Sequence, residues 1–524
     1  MSEFSVRTAP PVPAARLASS VKRIWPIAAL AAIAAVLFFT DIGGKSLWND
    51  EAFSFFVANG GPLATLHAIS QDTQPPFYYL TLTFWLGLGH GVFALRSLSA
   101  IALILAVVPL YDAARRLVGA RTALLAALLF VIDPNVVFWA QKARPYAFQT
   151  LFVAIAFWGF VHILLAPEAR QVYFGVGLSG RRGRKAAAVD LGWLAYAIGG
   201  ALAMLTQQPA GFFVLGCNCA IAAVVLPRLR ANRILLVNWV AAQLLLIAIW
   251  SLWLPTFLSQ AAAHLTPDQI SAKHAIFLID GTTFAANMRA LFSIPSLWRA
   301  QPPFVALYAV LACFGVVALL RNGKAALAVL GTLGVPILAC VAGFFLVHPV
   351  FGYVTYSFVW ILLPYTILIA SGIILLRPLA LRIAVIGLLL FGNGWGLWNY
   401  YATSAPPIDQ AAAMMAPKIK PGDGLLLSKT AATAWGLAYY LGAPYQGDLV
   451  GLDPARLKEQ LISTPEQALA LPRVWLVLPD GEVPAVDLAV LQQRMVPAIS
   501  QRIGTLTVQR FDRGRDTATP LQEK

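Results

Sequence analysis

The sequence predicts a polytopic α-helical membrane protein with a small C-terminal α/β domain on the extracytoplasmic side. Three observations lead there. The 524 residues are 59% hydrophobic and only 12% charged, with a mean hydropathy of +0.72, too apolar for a water-soluble chain of ordinary composition. Apolar runs of roughly 17–25 residues recur from Trp25 to Tyr400, each long enough to cross a hydrocarbon core of about 30 Å as a helix, so about 11–13 transmembrane helices are expected. From Pro406 onward the pattern changes to short apolar runs punctuated by Pro, Gly and Asp.

Charge gives the orientation. Residues 1–400 carry 26 Lys and Arg against 11 Asp and Glu, while residues 401–524 carry 12 of each, so the net charge of +15 belongs to the membrane part. It gathers in short loops: Arg16/Lys22/Arg23, Arg115/Arg116/Arg121, Arg181/Arg182/Arg184/Lys185, Arg228/Arg230/Arg233, Arg321/Lys324 and Arg377/Arg382. That is the positive-inside pattern of cytoplasmic loops and not a nucleic-acid footprint. The four cysteines, Cys217, Cys219, Cys313 and Cys340, fall inside apolar runs and give no disulfide framework or zinc spacing.

In chain order, a basic N-terminal stretch and the apolar run 25–40 read as a signal anchor, since the run exceeds a usual signal-peptide core. Taking the basic loops as inside puts 41–75, 140–146, 205–209, 255–302, 347–355 and everything after about 401 outside, making 1–400 the transmembrane domain with long outer loops 41–75 and 255–302. Residues 76–112 resist this scheme. They read as two spans broken near Gly89–Gly91 where an odd number of crossings is needed; either one half is re-entrant or the Arg115/Arg116 loop breaks the charge rule. In the tail, 424–428 and 474–479 read as buried strands, and 430–442 and 485–495 as helices.

Against this background the stretch SLWNDEAFSFF, residues 46–56, places Asp50 beside Glu51 just outside the first span. Charges next to hydrocarbon are costly and usually pair or work. Asn49 or Asp50 could cap an interfacial helix whose phenylalanines lie on the membrane surface. The functional alternative is a general base whose partial desolvation sharpens its basicity. Further polar groups lie at similar depth: Gln74 before Pro75–Pro76, with Tyr78 following; Lys142, Arg144 and Tyr146 in WAQKARPYAF, where cations on the outer side point to a bound anion, the alternative for Arg144 being a pair with Asp133; and His348, Tyr353 and Tyr356 at another outer helix end.

Together SLWNDEAFSF, the Pro-Pro stretch, ALRSLSA with Arg96, the basic loop and QKARPYAF resemble bacterial membrane glycosyltransferases related to protein O-mannosyltransferases and the lipid A aminoarabinose transferase, of the GT-C fold group and glycosyltransferase family 39-like. The resemblance covers residues 24–165 well and the remainder in layout only. It implies a sugar donor on a polyprenyl phosphate, an acceptor on the extracytoplasmic face of a bacterial inner membrane, and inversion at the anomeric carbon. Asp50 would then deprotonate the acceptor hydroxyl, Glu51 would hold the acceptor or position the loop, and Arg144 and Lys142, with Arg96 weaker, would stabilise the departing phosphate. Relatives commonly carry His or Lys where this chain has Gln74, and an Arg-Tyr where it has only Tyr353, which shifts weight onto Arg144.

A transporter or flippase of a lipid-linked sugar, a glycan ligase using a pyrophosphate carrier and a structural scaffold are the alternatives. Against transport, Asp112, Asp133 and Asp190 fall near predicted span ends and form no relay. The Asp-Glu pair could coordinate a divalent ion with a donor phosphate, but no second acidic cluster of obvious spacing accompanies it. Neither metal nor cofactor is expected; the partners are the lipid-linked donor, a lipid, glycan or protein acceptor and membrane lipids.

Overall fold

The structure is a computed structural model. It describes residues 14–165, 191–264, 302–347, 355–420, 422–428, 433–442 and 464–513, with isolated positions between 282 and 292. His348 and Tyr353 lie outside the described residues.

The membrane part begins with α1 (Ala14–Phe39), followed by three short helices: α2 (Asn49–Asn59), α3 (Pro62–Ser70) and α4 (Phe77–Trp85). Then come α5 (Val92–Val118), α6 (Ala120–Val131), α7 (Pro134–Ala140), α8 (Tyr146–Leu165), α9 (Leu191–Thr206), α10 (Ala210–Val225), α11 (Arg233–Trp250) and α12 (Leu254–His264). After them run α13 (Pro302–Leu320), α14 (Gly323–Ala342), α15 (Leu362–Leu375) and α16 (Leu379–Ala402). Local chemistry sets these boundaries. Pro62 and Pro134 open α3 and α7, where the missing N–H costs nothing. Gly119, at φ +85°, turns α5 into α6.

Among the described residues, eight helices are long and apolar enough to cross a membrane, and α6 with α7 makes a ninth, bent by 58°. Two shorter apolar helical stretches, Trp25–Phe39 within α1 and Leu191–Thr206 (α9), remain; counted as crossings, they bring the total to eleven and place Arg115, Arg228, Arg321 and Arg377 at one face. The stretch 76–112 is settled by α4. With its 3-10 extension it ends at Leu88, a rise of roughly 18 Å that cannot span the core. Both its ends stay beside α2: Tyr79 meets Phe53 with ring centroids 6.5 Å apart, and His90, just past the far end, meets Phe55 at 5.7 Å. So α4 is the half that does not cross, and α5 alone carries the chain to the Arg115/Arg116 end.

Small residues let the helices approach. A Cβ on Gly159 of α8 would sit 2.4 Å from the Gly192 carbonyl oxygen of α9, and one on Gly199 of α9 would sit 2.9 Å from the Ala156 nitrogen of α8. This is the small-residue packing expected where lipid removes the hydrophobic drive between helices. A polar network adds to it: the Asn218 Oδ1 of α10 accepts from Tyr196 Oη of α9 and from Trp239 Nε1 and Gln243 Nε2 of α11, at 2.9–3.0 Å. Asp133, expected near a span end, instead lies in the break between α6 and α7, where Oδ1 caps Asn135 N–H at 2.7 Å.

The tail folds as α17 (Ile408–Met415), β1 (Gly424–Leu426), α18 (Ala434–Leu441), α19 (Pro465–Ala470), β2 (Arg473–Pro479), α20 (Leu488–Gln492), β3 (Met495–Ile503) and β4 (Leu506–Arg513). The sheet order is β1-β2-β4-β3, with β1 and β2 parallel and the other pairs antiparallel. The helix expected over 485–495 is shorter, because Asp487 caps its start through Ala489 N–H and Met495 already pairs with Arg513 in the sheet. One apolar cluster joins Leu47 and Ala52 at the start of α2 to Ile408, Trp435, Trp475 and Val508 of the tail. The tail therefore completes its core with the first outer segment.

Candidate active site

The site is built where the chain leaves α1, where α7 gives way to α8, and where α5 begins. Gln141 ties the first two together: its Nε2 donates to Thr40 O at 2.7 Å and to Phe38 O at 3.2 Å, while its Oε1 accepts from Tyr400 Oη at 2.8 Å. The cations after Gln141 are thereby brought against the Asp-Glu pair.

Glu51 is fully buried, and both its oxygens are saturated. Oε1 accepts from Arg96 Nε at 2.8 Å and Ala143 N at 2.9 Å; Oε2 accepts from Arg96 Nη2 at 2.9 Å, Trp48 N at 3.0 Å and Lys142 Nζ at 3.3 Å. Burial opposes the charge, but Lys142, Arg96 and these hydrogen bonds outweigh it and push the carboxyl pKa down to about 2. A carboxylate so held is a poor base and a good anchor. Helix α2 accordingly starts one residue earlier than expected, with Trp48 at the N-cap; Glu51 reaches back to the Trp48 N–H, and neither Asn49 nor Asp50 caps it.

Arg96 commits all five of its N–H groups. Besides the two to Glu51, Nη1 donates to Ile42 O and Lys45 O and Nη2 to Ser46 O, each at 2.9 Å. No donor remains for a substrate phosphate; the guanidinium instead gathers loop 42–46 onto α2. Lys142 is 8% exposed and faces Glu51, with the Phe138 and Trp48 rings 5.3 and 5.8 Å away. Burial lowers its pKa from the ordinary value against the pull of Glu51, with Arg96 adding to the fall.

Asp50 is set differently. Its side chain is 49% exposed, with Oδ2 3.6 Å from Arg144 Nη2, while its main chain is pinned: the carbonyl accepts from Arg144 Nη1 at 3.1 Å and Ser54 Oγ at 3.0 Å. Arg144 is buried and pairs with Asp50, not with Asp133. Burial disfavours its charge, yet Tyr79, Tyr146 and Asp50 hold its pKa well above the ordinary arginine value. The guanidinium lies 5.8 Å from the Tyr146 ring centre, and Tyr356 stacks edge-on against that ring at 5.1 Å.

Two residues that the sequence reading passed over belong here. Tyr79 is fully buried, and among the described residues its hydroxyl has no hydrogen-bond partner. Asp72 lies, like Asp50, within electrostatic reach of both Tyr79 and Tyr146. Both stand in the stretch QDTQPPFYY, so the signal was present but unspecific. Gln74 is joined through Oε1 to Gln207 Nε2, and Tyr78 is buried edge-on against Tyr79 and Phe148. Among the described residues no group of three His, Cys, Asp or Glu side chains gathers to hold a metal.

The α2 phenylalanines do not lie on the membrane surface as expected. Phe53 and Phe56 pack on Trp435 at 5.6 and 5.4 Å, and Phe55 on Tyr439 at 5.1 Å, because the tail covers this face. Asn49 Oδ1 accepts from Trp435 N at 2.9 Å, and Tyr440 Oη accepts from Leu47 N at 2.8 Å.

Comparison with solved structures decides the architecture. ArnT from Cupriavidus metallidurans, in its apo state, superposes with a TM-score of 0.56 at 14% identity, covering 94% of this chain and 98% of ArnT. The fold is GT-C. The archaeal oligosaccharyltransferase AglB from Archaeoglobus fulgidus, in complex with an inhibitory peptide and a dolichol-phosphate, shares this GT-C architecture at a TM-score of 0.51 and 10% identity, over 96% of this chain and 75% of AglB. Within the GT-C frame, residues 73–180 match the family model of dolichyl-phosphate-mannose-protein mannosyltransferases. No curated protein sequence matches the chain significantly.

Proposed function

We propose that this GT-C protein is an inverting glycosyltransferase that moves a sugar from a polyprenyl phosphate to an acceptor hydroxyl, with Asp50 as general base. The observation that carries the reading is the contrast within the pair: Glu51 is locked by five hydrogen bonds, while Asp50 keeps a half-exposed carboxylate beside a buried arginine. An accessible carboxylate next to a fixed cation is what a displacement at an anomeric carbon requires.

The acceptor O–H gives its proton to Asp50 as its oxygen attacks the anomeric carbon from the face opposite the phosphate. The bond from that carbon to the phosphate oxygen breaks, and the electron pair leaves with the polyprenyl phosphate. Arg144 neutralises the charge developing there, and the Tyr79 hydroxyl supplies a donor. At 3.6 Å the Arg144–Asp50 contact is longer than a hydrogen bond, so an arriving phosphate can draw the guanidinium away and release the base. Glu51, Arg96 and Lys142 position the loop that carries Asp50. The dolichol-phosphate in the AglB complex and the mannosyltransferase family match support a lipid phosphate donor. The basic loops support a bacterial inner-membrane protein with its site on the periplasmic side.

The test is purified protein in lipid with a panel of labelled polyprenyl-phosphate sugars, native against Asp50→Asn. Transfer at the native rate by the variant would remove Asp50 from the reaction. Failure of the native protein to consume any polyprenyl-phosphate sugar would remove the donor class.

A further inference from the structure

The outer face holds a polar cavity, of about 520 Å³, between the end of α3 and the start of α12. That volume falls within the roughly 300–1,000 Å³ of small-molecule sites. Ser70, Gln71, Thr256, Ser259 and Gln260 line it, and Pro255 supplies an apolar wall. None of these side chains is charged.

Their hydrogen bonds show what is left over. The hydroxyl of Ser259 donates to Thr256 O at 2.8 Å and that of Ser70 to His67 O at 2.7 Å. Gln260 donates through Nε2 to Ile69 O at 2.9 Å. It is 5% exposed, and its Oε1 is buried with no partner among the described residues. The Ser70, Ser259 and Gln260 donors go to backbone carbonyls and Gln71 Nε2 goes to Ser70 Oγ at 3.3 Å, so oxygen lone pairs, the buried Gln260 Oε1 first among them, remain to be met. A phosphate or carboxylate would meet those lone pairs with no cation among the lining residues, and an ammonium would find no carboxylate. A ligand rich in hydroxyl donors fits both conditions, and an orphaned amide oxygen gains a full hydrogen bond when such a group arrives.

One lining residue is a chain neighbour of a carboxylate placed at the proposed catalytic site. Gln71 directly precedes Asp72, which acts on the same two tyrosines as Asp50. Resting on the glycosyltransfer reading, we propose that this cavity is the acceptor subsite and binds the uncharged, hydroxyl-rich part of the acceptor, a neutral sugar, with Gln260 Oε1 as the buried acceptor that orients it.

Binding can be read without catalysis. The full chain in lipid nanodiscs is examined by saturation-transfer NMR with methyl glycosides of gluco, manno, galacto and arabino configuration, and with glucose 6-phosphate. At least one neutral glycoside gives a signal, glucose 6-phosphate gives none, and the signal falls at least fivefold in Gln260→Leu and in Ser259→Trp. The second variant fills the cavity from an exposed position and leaves the Gln260–Ile69 bond intact, so it serves where Gln260→Leu fails to fold. No signal from any neutral glycoside, an equal signal from glucose 6-phosphate, or a signal that survives Ser259→Trp overturns the proposal. Loss of donor turnover with glycoside binding intact overturns only the catalytic reading.

Discussion

Asp50 and Glu51 are chemically near-identical neighbours with opposite fates, and the difference lies in what surrounds each. Glu51→Gln would leave Arg96 and Lys142 facing an uncharged carboxamide in a buried site, at a cost of about 3–5 kcal/mol; thermal unfolding in detergent would show this as a lower transition temperature. The same carboxyl gives a pH signature. Its folded pKa of about 2 lies below the unfolded value of about 4.3, so its stabilisation is complete above the unfolded value and drains away as pH falls toward 2. Unfolding transitions measured from pH 7 downward should stay level to about pH 5 for this contribution; Glu51→Gln should flatten the fall below that. Arg144→Met should lower kcat by roughly 10²–10³-fold while the protein folds, an effect of the size of losing one charge-stabilising donor. In Asp50→Asn, by contrast, donor binding should persist while transfer drops by roughly 10²–10⁴-fold.

At the scale of elements, α2 carries the proposed base, and its position is fixed from two sides. Arg96 holds its base, and Trp435 of α18 closes over its aromatic face. Trp435 is 7% exposed, so Trp435→Ala removes a buried indole at a cost of about 3–5 kcal/mol; limited proteolysis should then cut the tail before the membrane helices, and kcat should fall while donor affinity holds. The α8–α9 contact makes the complementary case. Gly159→Ala drives a methyl into the Gly192 carbonyl, an overpacking of about 1–3 kcal/mol, visible as reduced folded yield in membranes. Sequence marked the 46–56 stretch by its charges and the tail helix only as a helix. That Trp435 packs on α2 follows from a contact across nearly 400 positions, which no local pattern encodes.

For the whole molecule, the α4 turn-back makes the crossings odd in number and puts the ends of the membrane part on opposite faces. In a cysteine-free background, Val483→Cys and Leu229→Cys, both exposed, should react with a membrane-impermeant maleimide from opposite sides of intact cells and inverted vesicles. Labelling of both from one side would overturn the topology.

Composition and hydrophobic run length by themselves determined a helical membrane protein with its basic loops on one side, because bilayer thickness and the cost of burying charge act on each segment independently of the rest. The Asp50–Glu51 pair and the outer cations were legible for the same reason: charge beside hydrocarbon stands out locally. Only tertiary structure decided which carboxylate stays exposed, that Arg96 is spent on the loop, that Asp72 lies within electrostatic reach of Tyr79 and Tyr146, and that α4 does not cross. Those outcomes depend on which hydrogen-bond partner reaches a group first in space, and segments distant in the chain supply the competitors.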